Sequence, residues 1–264
     1  MMIHAGSLSV AGMRISLELD APELVDGLNQ RYGDFYGRDV PQMTAHICWQ
    51  DSSGCESNAF PTVHFSDTGW EFEAPFYKGK IDLQRKEASL EFVSTQPFEG
   101  IDYFLRLIVA MLAYEHKGFL FHAAGVVRLS RAYIFLGHSG AGKTTVSRLS
   151  GEQNVLNDDL VVLLPRGDGW WVYATPFWNP SQVRPKPSSA PLYAMYHLVQ
   201  DRSVFLDDIS PSLGLAEFLA CVPIISMDPY RNQVLMRRVL GLLETYPVRN
   251  LHFLPDDSFW NAIV

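Results

Sequence analysis

A chain of 264 residues, 47% of them hydrophobic, can bury one large core or two modest ones, which excludes an intrinsically unfolded chain. Its 29 acidic against 21 basic side chains leave a formal net charge of −8, and with no Lys/Arg run to offer a local exception the surface repels polyanions, so nucleic acid is excluded as a partner. No basic segment followed by an apolar one opens the chain, and the longest apolar run, 104–114, is interrupted by Arg106 and too short to cross a bilayer; no membrane partner and a cytoplasmic location are expected.

Taken in chain order, the first hundred residues alternate polar and apolar side chains in short runs at 14–20, 44–50, 62–67, 69–75, 79–85 and 88–94. Period-two alternation between Gly, Asp and Ser breaks predicts half-buried antiparallel strands. One helix interrupts them, with Asp20 as its N-cap, Pro22 and Glu23 in its first turn, and Leu24, Leu28 and Tyr32 on its apolar face. Residues 1–98 therefore read as a small α+β domain. Cys48, Cys55 and Cys221 lack the spacing of a zinc or redox motif and read as free thiols, although Cys48 and Cys55 could approach one another.

Residues 99–264 read as a second domain that carries the chemistry. Helical spacing of Ile101, Phe104, Leu105, Ile108, Met111 and Leu112 predicts a helix over 99–117 ended by Gly118. A strand over 119–129, a turn at Ser130 and Arg131, and a strand leading to Gly137 follow. Two more strands flank a turn at 166–168, and the Pro/Ser-rich stretch 179–191 is expected to be a loop. Helices are predicted over 212–220 and 229–245, then a strand over 248–254 and a short terminal helix.

The segment GHSGAGKT at 137–144 satisfies G-x-x-x-x-G-K-[ST] through Gly137, Gly142, Lys143 and Thr144. Glycines let successive backbone N–H groups turn toward a phosphate, the lysine neutralises its charge, and the threonine hydroxyl suits Mg2+. A strand before and a helix after this segment are the context such a loop requires. The expected nucleotide-contacting set is Gly137, His138, Ser139, Gly140, Ala141, Gly142, Lys143, Thr144 and Thr145. Of these, His138, Ser139 and Ala141 occupy variable positions that support no separate role.

Asp158 and Asp159 follow Lys143 by fifteen and sixteen residues, ahead of an apolar strand. Alone they would read as a solvated turn; beside a phosphate loop one can hold Mg2+ and the other accept a proton from an attacking hydroxyl, with two metal-binding aspartates as the alternative. His122, at the end of an apolar run, reads first as a core histidine. Thr175, Pro176 and Phe177 are candidates for the acceptor side. Arg184 and Lys186 are candidate clamps in a loop, and Arg231, Arg237 and Arg238 read as a solvated helix face.

FLFHAAG, GHSGAGKTT, LNDDL and ATPFW together resemble the HPr kinase/phosphorylase superfamily, especially the small HPr-kinase-like proteins of lasso-peptide and other peptide-modification systems. The resemblance covers 119–179, with an echo over 246–263. It implies an α/β P-loop core shared with phosphoenolpyruvate carboxykinase, attached to the smaller strand-rich N-terminal domain. It also implies Asp158 as base toward a serine hydroxyl, Asp159 as a Mg2+ ligand, and His122 beside the catalytic acid. The carboxykinase framework for oxaloacetate and metal is absent from the sequence, as is the LEIRGLG-like second signature of the bifunctional kinase/phosphorylase.

The expected function is an ATP- and Mg2+-dependent kinase with catalytic residues Asp158, His122 and Lys143 and metal ligands Thr144 and Asp159. Its acceptor is a serine-type hydroxyl of a ribosomally made peptide, with residues 1–98 available for peptide recognition. A small hydroxylated acceptor such as free serine is the first alternative, and a nucleotide-sensing interaction protein the second. Oligomeric state is left open, a homo-oligomer included.

Overall fold

The computed structural model describes residues 1–51, 61–151, 154–178 and 183–263, so Cys55 and the 179–182 part of the expected loop lie outside the described residues. The described residues form a mixed α/β structure with two mixed sheets and six α-helices. The chain divides into two compact units, Met1–Leu112 with Asp228–Tyr230 and Ala113–Met227 with Arg231–Val264. Among the described residues Cys48 and Cys221 are free thiols. Among the described residues no helix is long and apolar enough to cross a membrane.

The first unit contains β1 (Ile3–Val10), β2 (Met13–Leu19), α1 (Val25–Tyr32), β3 (Met43–Gln50), β4 (Thr62–Phe65), β5 (Gly69–Ala74), β6 (Tyr77–Asp82), β7 (Glu87–Val93) and most of α2 (Pro97–Glu115). Its seven strands run in the order β1-β2-β3-β7-β6-β5-β4. Alternation sorts the faces as the sequence predicts: Ala88, Leu90 and Phe92 are buried while Glu87, Ser89 and Glu91 are exposed. Pairing departs from the prediction, because β2–β3 and β3–β7 are parallel. A helix lies between β2 and β3 in the chain, which lets both strands point the same way, and one-sided burial produces the same alternation in either direction.

Asp20 is not a helix cap. Its carboxylate instead accepts the backbone N–H of Trp49 at 3.0 Å, and Pro22 opens a 3-10 turn over Pro22–Leu24 before α1 begins. Strand β1 escaped the sequence pattern because Gly6 (φ +143°) sits at a register shift that breaks its alternation. Asp102 on α2 ties that helix to α1, accepting from Tyr32 Oη at 2.8 Å and Arg31 Nε at 3.1 Å. At the far end Lys117, not Gly118, takes the left-handed conformation (φ +66°), and Gly118 N donates to Ala113 O at 2.8 Å. Gly118 is needed for a different reason: a Cβ there would stand 2.0 Å from Leu163 O.

The second unit contains β8 (Phe119–Phe121), β9 (Ala124–Arg128), β10 (Arg131–Leu136), α3 (Lys143–Leu149), β11 (Val155–Asn157), β12 (Val161–Arg166), β13 (Gly169–Ala174), β14 (Ser189–Gln200), β15 (Phe205–Asp208), α4 (Pro211–Ala220), α5 (Asn232–Thr245), β16 (Val248–Phe253) and α6 (Trp260–Ile263). Its nine-stranded sheet runs β11-β9-β10-β14-β13-β12-β8, with β16 also beside β14 and β15 outside β16. Strands β10, β14 and β16 are mutually parallel, and β10 runs directly into the glycine loop. Ala141 and Val146 pack with Phe135, Leu198, Phe253 and Phe259 in one apolar cluster, which pins loop and helix to the sheet. Full burial of each such large side chain contributes about 2 kcal/mol.

Four expectations for this unit change. The strand predicted over 119–129 is two strands in different ladders, β8 against β12 and β9 against β10 and β11, with the break at His122 and Ala123. The hairpin turn falls on Leu129 and Ser130 (φ +50° and +61°), so Arg131 already belongs to β10. Ser189–Pro191 of the expected loop begin β14, in register with Tyr173–Trp171 of β13. The arginines of the α5 region do not form one solvated face, since Arg231 is buried and Arg238 donates to Tyr114 O at 2.6 Å while covering its ring.

Candidate functional site

At the C-terminal end of β10 the backbone enters the loop through Gly137 (φ +149°), Gly140 (φ +83°) and Gly142 (φ +113°). Side chains with a Cβ rarely adopt these angles, so glycine is required by conformation at all three. Gly142 also needs the space, because an added Cβ would lie 2.5 Å from the ring of Phe253. Lys143 folds back over the loop, donating to Gly137 O at 2.7 Å and His138 O at 3.3 Å.

This loop forms one wall of an open cleft of about 450 Å3 lined by Ser139, Gly140, Gly142, Lys143, Thr144 and Thr145, with His122, Asp158, Asp159 and Gln200 completing it. The other expected loop residues play supporting parts. Gly137 and His138 supply the carbonyls that receive Lys143, and Ala141 is buried in the apolar cluster. Arg184 and Lys186 are not among the described residues lining the cleft.

The acidic pair lies in the turn between β11 and β12, held by the fully buried Asn157. Asn157 Oδ1 accepts the backbone N–H groups of Asp159 at 2.7 Å and Leu160 at 3.0 Å. Its Nδ2 donates to Thr175 O at 3.1 Å and Phe177 O at 2.8 Å, while Thr175 Oγ1 donates to Leu160 O at 2.7 Å. Thr175 and Phe177 are thus the scaffold behind the aspartates, not a wall of the cleft. Asn157 was missed in the sequence because an asparagine beside two aspartates carries no motif of its own.

The two carboxylates differ sharply. Asp158 is 2% exposed, and neither side-chain oxygen has a hydrogen-bond partner among the described residues. Burial pushes its carboxyl up to about 6; its own backbone N–H, Arg148 and the nearby Thr144 hydroxyl oppose the rise, and the negative charge of Asp159 adds to it. A buried, unsatisfied carboxylate is costly to the fold, and that cost is most readily explained by a bound group that satisfies it.

Asp159 has a partner: His122 Nε2 donates to its Oδ1 at 3.0 Å. His122 is not a core histidine. Its side chain is 53% exposed, and its backbone N–H donates to Cys221 O, at the end of α4, at 2.7 Å. The break between β8 and β9 turns this residue outward into the cleft.

Hard oxygen donors at Thr144 and Asp159 beside a lysine suit a magnesium ion that shares its ligands with phosphate. Among the described residues no group of three or more His, Cys, Asp or Glu side chains is placed to hold a metal. An ion here would take its remaining ligands from phosphate and water. No protein-family model matches this chain, and no curated protein matches its sequence.

Proposed function

We propose that this chain is an ATP- and Mg2+-dependent phosphotransferase that acts on a serine-type hydroxyl, with a ribosomally made precursor peptide as acceptor. The observation that carries the reading is Asp158, a buried carboxylate with no hydrogen-bond partner among the described residues, raised toward neutrality and lining the same cleft as the glycine loop. A general base works best when its pKa lies near the operating pH.

In this reading the loop amides and Lys143 bind the β- and γ-phosphates, and Lys143 exchanges its two carbonyl partners for phosphate oxygens. Thr144 and Asp159 would hold Mg2+, which when bound would neutralise charge on the phosphates. Asp158 takes the proton of the acceptor hydroxyl as its oxygen bonds to the γ-phosphorus and the bond to the β-phosphate oxygen breaks, leaving phosphorylated acceptor and ADP. His122 keeps Asp159 oriented through its Nε2–H.

The resemblance of FLFHAAG, GHSGAGKTT and LNDDL to HPr-kinase-like proteins supports the same P-loop core, the same division of roles and a peptide acceptor. The test is an acceptor screen with labelled ATP against free serine, HPr and peptides encoded beside the gene. Label on a peptide serine is the expected result. Label on free serine would make the protein a metabolite kinase, and hydrolysis without transfer would make it a nucleotide sensor.

A further inference from the structure

Gln200 is the last residue of β14, and its side chain reaches the glycine loop sixty residues earlier, where Nε2 donates to Gly140 O at 2.7 Å. A carbonyl only accepts, so the amide nitrogen must be the atom facing it. The N–H of the same peptide unit, on Ala141, donates to His138 O at 3.1 Å. Both polar atoms of the 140–141 peptide are thereby occupied and its plane is fixed.

We infer that Gln200 is a positioning residue that sets the phosphate-binding conformation of this loop, an inference that rests on the nucleotide-binding reading above. Gly140 itself offers little resistance to rotation, since glycine tolerates many backbone angles. The restraint therefore comes from outside the loop.

Strand β14 is well placed to provide it, because its last residues pair with parallel strands on both sides, Leu136 of β10 against His197 and Phe253 of β16 against Gln200. Gln200 and its register partner Phe253 meet the loop at two points, the Gly140 carbonyl and the space a side chain on Gly142 would need. A Gly140 carbonyl held by Gln200 cannot turn toward an arriving phosphate, where two acceptors would repel. Removing the donor frees that rotation and lowers the fraction of loops ready to bind, which weakens affinity in proportion.

The test compares Gln200→Met, which keeps length and neutrality but removes the donor, with Gln200→Glu, which keeps shape and adds charge. Three quantities are measured on the full chain: the Kd for Mg-ATP by calorimetry, hydrogen exchange at the Ala141 amide without nucleotide, and Tm without nucleotide. Expected for Gln200→Met are a Kd and an exchange rate each raised roughly three- to tenfold, the worth of one neutral hydrogen bond, at unchanged Tm. An unchanged Kd in Gln200→Met overturns the inference, as does a weakening confined to Gln200→Glu, since that reports only charge near the phosphates. If the unaltered chain does not bind Mg-ATP, the nucleotide reading fails separately. Ala141 exchange then decides the positioning role alone, a rise in Gln200→Met supporting it and no change overturning it.

Discussion

His122 Nε2 stands 3.0 Å from Asp159 Oδ1, and this contact gives two adjacent carboxylates different surroundings. Asp159 has an imidazole partner in His122. Asp158, one residue earlier, is buried with neither oxygen bonded among the described residues. The difference between the two environments is what the proposed division of roles rests on.

Asp158→Asn should raise stability at neutral pH while abolishing phosphotransfer. A folded-state carboxyl lifted from 3.8 to about 6 binds its proton more tightly in the folded than in the unfolded chain. Its contribution is therefore most favourable below that window and is lost as pH rises through it. The lift corresponds to on the order of 3 kcal/mol, so the amide variant should gain up to that amount at pH 7 and almost nothing near pH 4. Urea unfolding at the two pH values measures it; equal gains at both would show that burial does not perturb this group.

Lys143→Ala should weaken Mg-ATP binding by at least about tenfold, because the charge-assisted bonds a lysine makes to phosphate have no other source in the loop. Calorimetric titration is the measurement, and an unchanged Kd would remove the loop from the nucleotide site.

Asp159→Asn should leave binding of metal-free ATP intact and raise the Mg2+ concentration needed for half-maximal activity. The variant also removes the carboxylate that His122 donates to. Activity measured across a Mg2+ series reads this out; a fall in maximal rate with no shift along the Mg2+ axis would make Asp159 a proton carrier instead.

Asn157→Ala should cost about 3 kcal/mol, since it strands buried backbone groups of Asp159, Leu160, Thr175 and Phe177 that Asn157 now satisfies. It should also lower transfer by loosening the acidic turn. Thermal unfolding and turnover measured together check both effects.

The glycine loop and the acidic pair were legible from sequence because both are local: spacing along a few residues defines each. Most strands were legible for the same reason, through alternation at 44–50, 69–75 and 88–94 that matches β3, β5 and β7. What stayed hidden depends on contacts between distant segments. Parallel pairing of β2, β3 and β7 leaves no mark on alternation, and Gln200 reaches Gly140 across sixty residues. Asp20 shows the converse error, a local capping pattern overridden when a strand amide from Trp49 claimed its carboxylate.

The chain leaves one ladder at Phe121 and joins another at Ala124, so His122 and Ala123 belong to neither. Side chains inside a ladder are constrained by cross-strand neighbours and by the face they must bury. His122, between ladders and with its side chain 53% exposed, escapes both demands. Position 122 can therefore vary in chemistry without disturbing a single strand register, which makes it a natural point at which chains of this architecture could diverge in reactivity while keeping the scaffold.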